Sequence, residues 1–233
     1  MMNLRDWRAL VLWPGVFLLL TFALLELGQL DRPIANALFY RADHGWLGAG
    51  GGDWWAHGLL HSTGRWVVRG VAIAALAVWM LSFKAARLAP WRREALYVFV
   101  AIAASTALVG ILKQLTNVDC PWDLAGFGGD RPYVALFADR PDYLPRAQCF
   151  PGAHSSSGFA LMSLFFALRD RCRRVARGAL ALGIGIGIAF SIGQEARGAH
   201  FLTHDFASAA LVWWMLLALY AWMLEKPGQS AGL

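Results

Sequence analysis

Residues 149–168 read CFPGAHSSSGFALMSLFFAL, an imidazole among small residues followed by an almost unbroken apolar run. The surroundings decide where such a run sits. Of the 233 residues, 58% are hydrophobic and 15% charged, well outside the usual soluble range, so the chain reads as a membrane protein. Working outward from this stretch, six runs approach the length needed to cross a hydrocarbon core of about 30 Å. They are Ala9–Leu27, Trp66–Phe83, Ala95–Leu112, Ser155–Leu168, Gly178–Gly193 and Phe206–Leu224. The fourth and fifth fall below the roughly 20 residues a full span prefers, so both helices are expected to continue through the more polar residues at their outer ends. The first follows Arg5 and Arg8 as a secretory signal would, but Glu26-Leu27-Gly28-Gln29 offers no small-x-small cleavage site, and it is expected to stay as the first span. The expected fold is all-α: a polytopic membrane protein, one domain over residues 1–233, with six transmembrane helices in one bundle and no internal repeat.

Lys and Arg collect on the cytoplasmic side of membrane proteins. With the N-terminus inside, the inward segments hold twelve basic residues, among them Lys84, Arg87, Arg92, Arg93 and the cluster Arg169–Arg177, against Asp6, Glu94, Asp170 and Glu225. The remaining nine basic and eleven acidic residues fall in the spans and outward loops. Both N- and C-termini are therefore expected in the cytoplasm, and the formal charge of +6 is mostly a topology signal. A nucleic-acid partner is not expected, because RDRCRRVAR is a short inward turn and not a basic surface interleaved with aromatics.

Cys120 and Cys149 share one outward loop, while Cys172 lies in the inward turn. The outer pair is either a disulfide, which by closing a loop of about 30 residues contributes roughly 3–4 kcal/mol in chain-entropy terms, or two unpaired thiols. The outward loop from Gly28 to Arg65 contains GAGGGDWWAHGLLHSTGRW. That stretch reads either as an aromatic amphipathic segment lying flat in the headgroup layer or as an ordinary loop with aromatic-belt tryptophans.

Polar residues gather at one depth. Lys113 closes the third span, His154 opens the fourth, and Arg197, His200 and Asp205 follow the fifth. Spans three and five run outward and span four inward, so all of them are expected at the outer face. A lone Lys at a helix end snorkels, and a lone interfacial His is commonly a satisfied structural residue. Two histidines, two cations and a carboxylate converging beside glycines and serines point instead to a functional site. The cations suit an anion. Gly152, Ala153 and His154 stand at the N-terminus of the fourth span, where backbone N–H groups and the helix dipole favour a phosphate. Two histidines beside a bound phosphoryl group permit one to attack phosphorus and the other to protonate the departing oxygen. No metal or other cofactor is expected, since His200, His204 and Asp205 lack further ligands to complete a site.

The order of Lys113, Pro121, PGAHSSS and RGAHFLTHD resembles the three signature motifs of the type 2 phosphatidic acid phosphatase superfamily, whose membrane members have six spans and an outward-facing site. The motif region is 113–205. Where the first family motif has Lys, six residues and Arg-Pro, Lys113 is followed by Cys120-Pro121. Where the second has Pro-Ser-Gly-His, this chain has Pro151-Gly152-Ala153-His154, with Ser155 just beyond. In the third, Gln194 replaces the arginine six positions before His200, and Asp205 comes one residue later than usual. Arg197, one helical turn from Gln194, and Arg131 of Arg131-Pro132 are the two candidates for the displaced cations.

The resemblance implies a metal-independent, two-step lipid phosphatase of a bacterial-type inner membrane, hydrolysing a phosphate monoester or diphosphate of a membrane lipid at the periplasmic face. His200 would be the nucleophile, Asp205 its orienting carboxylate, and His154 the general acid and then base. Lys113 and Arg197, with Gly152, Ala153 and Ser155, would hold the phosphate. His204, at the usual aspartate spacing, is an alternative partner for His200. The loop Asp119–Gln148, with Trp122, Phe127, Tyr133, Phe137 and Tyr143, is expected to form a lid over the headgroup. The same site would also serve a lipid phosphotransferase, and the same fold a catalytically inactive lipid-binding or transport protein.

Overall fold

The computed structural model describes residues 4–225, with the backbone alone of Leu4 to Trp7. Both chain termini, expected in the cytoplasm, and Lys226 lie outside the described residues. The apolar runs become helices α1 (Leu4–Leu27), α3 (Gly64–Leu81), α4 (Arg92–Thr116), α7 (Arg173–Ala196) and α8 (Leu202–Met223). A short α2 (Asp31–Leu38) follows α1, and strands β1 (Tyr40–Arg41) and β2 (Gly45–Trp46) pair antiparallel, with Tyr40 opposite Trp46. The fourth apolar run is α5 (Ala153–Phe159), a 3₁₀ turn over Ala160–Met162 and α6 (Ser163–Leu168).

Among the described residues, five helical stretches are long and apolar enough to cross a membrane: Arg8–Leu27, Gly50–Leu81, Ala89–Asp123, Arg173–Ala196 and Leu202–Met223. The fifth apolar run extends at both ends, as expected. The fourth does not reach that length. Pro151 lacks an amide hydrogen and Gly152 is extended (φ −69°, ψ 107°), so helix begins only at Ala153 and ends at Leu168.

This short helix is the centre of the molecule. From His154 to Met162 all residues but Ser157 are buried, packed against α4, α7 and α8. Its approach to α7 is backbone to backbone: a β-carbon on Gly158 would lie 2.9 Å from Gly187 Cα, and one on Gly183 2.7 Å from the Met162 nitrogen. Small residues let membrane helices come this close, where dispersion contacts and not water exclusion hold them together. Below them Phe166 packs on Trp213 and Tyr220, and the buried Tyr97 of α4 donates its hydroxyl to Leu216 O at 2.9 Å. α1 is peripheral, resting on α8 through Trp213 Nε1–H to Leu10 O (2.9 Å) and Phe17 against Phe206.

The stretch Trp54–Thr63 is not a loop. It is a π-helix running without a break into α3. Ala56 is wholly buried against the α7 end, a β-carbon on Gly193 would meet Leu60 at 2.9 Å, and one on Gly64 would meet Phe190 at 2.5 Å. Packing on α7 through these small residues holds the segment upright, a tertiary effect that its aromatic content does not reveal.

The two ends of the bundle differ in charge. At one, Arg171 pairs with Glu94 at 2.8 Å, Arg92 bonds Ser82, and Tyr220 donates to Asp170. At the other, Trp46, Leu124, Phe127 and Phe201 form a small second core beneath α2 and the hairpin. The loop Asp119–Gln148 is pinned there: Cys120 is bonded to Cys149, with Cα atoms 5.1 Å apart, and Asp119 receives both Arg131 and Arg140. Phe127 is buried in this core and Tyr133 packs against it, whereas Phe137 and Tyr143 stand out from it, 79% and 78% exposed.

Candidate active site

His200 owes its position to the turn between α7 and α8. α7 closes in a Schellman arrangement, with Ala199 N–H donating to Gln194 O and Gly198 N–H to Glu195 O, both at 2.9 Å. Gly198 has φ +73° and lies against Trp46, whose ring a β-carbon would meet at 2.3 Å, so the turn requires glycine. Extended Phe201 then leads into α8. His200 and Asp205 flank that start, 5% and 3% exposed, and His200 Nδ1–H donates to Asp205 Oδ1 at 2.9 Å. The carboxylate accepts, so the proton sits on Nδ1 and the lone pair on Nε2.

His154 comes from the first turn of α5. Gly152 N–H donates to His204 O at 3.1 Å, and Ser208 Oγ donates to Gly152 O at 2.8 Å, which ties this helix start to α8. A β-carbon on Gly152 would lie 2.6 Å from Asp205 Oδ1 and from Ser155 Oγ and 2.8 Å from His200 Cε1. The amides of Ala153, His154 and Ser155 precede the first helical bond, from Ser156 N to Gly152 O. His154 Nε2–H donates to Leu60 O at 2.9 Å, and its ring stacks on Phe190 and tilts against His61, with centroids 4.3 and 4.6 Å away. A carbonyl only accepts, so Nδ1 is the nitrogen left for proton exchange.

The cations surround this pair. Lys113, in the last turn of α4, acts on Asp205 and His204. Arg197 acts on His154 and His61, and donates Nη1–H to Gln194 Oε1 at 3.1 Å. Burial outweighs the opposing pull of Asp53 and, with a smaller push from the neighbouring Arg65, lowers its guanidinium from the ordinary value, though it stays cationic. With Gln194 Oε1 taken, its amide N–H donates to His61 Nδ1 at 2.9 Å, and so sets that ring's proton on Nε2.

Of the expected site residues, the structure brings together Lys113, Gly152, Ala153, His154, Ser155, Arg197, His200, His204 and Asp205. Asp205, and not His204, bonds His200; the His204 ring packs edge-on to Phe150 and Phe201. Ser155 is wholly buried, donating to Gly152 O beside Asp205. Arg131 spends its guanidinium on Asp119 and Asp123, at 2.6 and 3.6 Å. Among the described residues no group of three or more His, Cys, Asp or Glu is arranged to hold a metal ion.

A family model, the PAP2 superfamily, matches residues 94–227, more than half of the chain. The chain belongs to the PAP2 superfamily. It is thereby a membrane protein of a superfamily of phosphatases and phosphoryl-transfer enzymes. No curated protein and no solved structure matches it. The PAP2 match runs from the first turn of α4 through α8, carrying every expected site residue. His61 and Arg65 lie before it, and sequence reasoning passed over both. Their signal was present in the four-residue spacing of HSTGR, which places an imidazole and a guanidinium on neighbouring turns beside Leu60. Glu195, next to Gln194 in α7, was passed over as well.

Proposed function

We propose that this PAP2 protein is an integral membrane lipid phosphatase that hydrolyses a phosphate monoester or diphosphate of a membrane lipid through a phosphohistidine on His200. The observation that carries the reading is the 2.9 Å bond from His200 Nδ1–H to Asp205, which frees Nε2 as a nucleophile within a ring of cations. His200 Nε2 attacks phosphorus, forming the N–P bond as the bond to the lipid oxygen breaks. His154 gives that oxygen a proton from Nδ1. Water then attacks phosphorus, His154 Nδ1 takes its proton, and the N–P bond breaks to release phosphate and restore both rings. Lys113 and Arg197, with the first amides of α5, stabilise the phosphoryl oxygens.

The short central helix Ala153–Leu168 serves as the fourth of six spans, both termini are cytoplasmic, and the histidines face the periplasm across the inner membrane. The basic end around Arg92, Arg93 and Arg169–Arg173 and the Cys120–Cys149 bond at the opposite end both support this orientation. The loop Asp119–Gln148 lies over the site end and contacts the substrate headgroup.

The test is phosphate release by the detergent-purified protein, with chelator present, from phosphatidic acid, phosphatidylglycerol phosphate, polyprenyl diphosphate and lipid A. Release that disappears in both His154→Ala and His200→Ala is the expected result. Full activity in His200→Ala refutes the nucleophile assignment.

A further inference from the structure

α1, α7 and α8 line an open pocket of about 510 Å³ whose walls are apolar side chains such as Phe17, Leu18, Ile188, Ile192 and Phe206. Its polar side chains are Ser191, Glu195 and Asp205. Ser191 is spent on its own helix, donating to Gly187 O at 3.0 Å. Glu195 is 5% exposed and faces the carboxyl of Asp205, and Glu195 Oε1 and Asp205 Oδ2 are buried without a hydrogen-bond partner among the described residues. The charged groups that act on Glu195 are Asp205 on α8 and Asp31 on α2, both acidic. Asp205, by contrast, has the His200 Nδ1–H at 2.9 Å and is also faced by Ser155 and Lys113.

Two carboxylates cannot both ionise side by side at the edge of an apolar cavity. The cationic partners favour charge on Asp205. We infer that Glu195 is a positioning residue for His200: it holds a proton and donates it as a hydrogen bond to Asp205 Oδ2, opposite the bond that Oδ1 receives from His200. Two donors then fix the plane of the Asp205 carboxylate. The second donor thereby keeps Oδ1 in line with the His200 Nδ1–H, so that Nε2 remains the nitrogen free to attack.

The inference rests on the phosphatase reading for its kinetic test, which compares wild type, Glu195→Gln and Glu195→Leu on a lipid the wild type turns over. Glutamine keeps a neutral donor, so its kcat stays within about threefold of wild type; leucine removes the donor and lowers kcat roughly 10- to 100-fold with KM little changed. A leucine variant with wild-type kcat overturns the inference, and so does a glutamine variant that falls as far as leucine. An infrared difference spectrum of wild type against Glu195→Gln at neutral pH tests the proton without turnover. A carboxylic-acid carbonyl band lost in the variant supports the inference, and absence of that band in wild type overturns it. If the band is present but wild type releases phosphate from no lipid, the phosphatase reading fails and the shared proton stands.

Discussion

Gly152 has no room for a methyl group. Alanine there would drive a carbon into Asp205 Oδ1, Ser155 Oγ and His200 Cε1, all under 3 Å away, and separate the two groups whose bond frees the nucleophile. Gly152→Ala is expected to lower kcat about 100-fold, as a misplacement of order 1 Å does, while overpacking costs about 1–3 kcal/mol of stability. Phosphate release and a melting curve in detergent separate these effects, and unchanged kcat refutes the placement. Gln194 is a second case. Its amide holds Arg197 at one end and His61 at the other, so Gln194→Leu frees both, raising KM roughly tenfold with a smaller change in kcat. An unaltered KM shows that Arg197 needs no such support. The chain lacks the motif arginine at 194, and the sequence allowed only that a residue one turn away could reach the same place. That Arg197 would be held by the very side chain that replaced the arginine is a matter of side-chain rotamers, which helical spacing does not encode. His154, His200 and Asp205 were legible because a titratable group is costly near the hydrocarbon and each stands out against an apolar background. His61 did not stand out, being set among tryptophans and a second histidine in a segment that was already polar enough to read as surface.

Among the elements, α2 is fixed to α8 by one acid. Asp31 accepts the Thr203 backbone N–H at 3.1 Å as well as the Thr203 hydroxyl, just where α8 begins. Burial pushes its carboxyl up to about 6 from an ordinary 3.8. The folded protein therefore binds the extra proton between those values, and the stability this group contributes is present in full below the lower one and lost as pH rises through the upper. The wild-type melting temperature is expected to fall between about pH 4 and pH 7 relative to Asp31→Asn, which cannot ionise. Parallel curves for the two proteins refute the role. Element boundaries were legible wherever hydropathy alone decided them: α4, α7 and α8 extend their apolar cores by a few residues at most ends. The segment Trp54–Thr63 was not, since its helix is held by Gly193, Gly64 and Phe190, contacts between residues more than a hundred positions apart. A π-helical ladder has no distinct hydropathy period in so short a stretch, and such insertions gather at functional sites, as this one does beside His154.

For the whole molecule, the orientation proposed from the charge asymmetry leaves one chemical handle on each side. Cys120 and Cys149 are joined at the end that carries the histidines, and Cys172 is free and exposed at the basic end. A membrane-impermeant thiol reagent is expected to leave the protein unlabelled in intact cells and to label Cys172 in inverted vesicles; labelling of Cys172 in intact cells reverses the orientation. The central helix adds a constraint of another kind. Its sixteen residues from Ala153 to Leu168 measure about 24 Å at 1.5 Å per residue, against a hydrocarbon thickness of about 30 Å. Placed as the proposed fourth span with its basic end at one interface, it would end several ångströms below the opposite one. His154 and the turn bearing His200 would then work at the floor of a well sunk into the leaflet. A lipid reaches that floor with its tails already alongside, whereas a phosphate dissolved in water must leave its hydration behind to descend. The length of one helix, more than any contact with a headgroup, would thereby separate membrane-borne substrates from soluble ones.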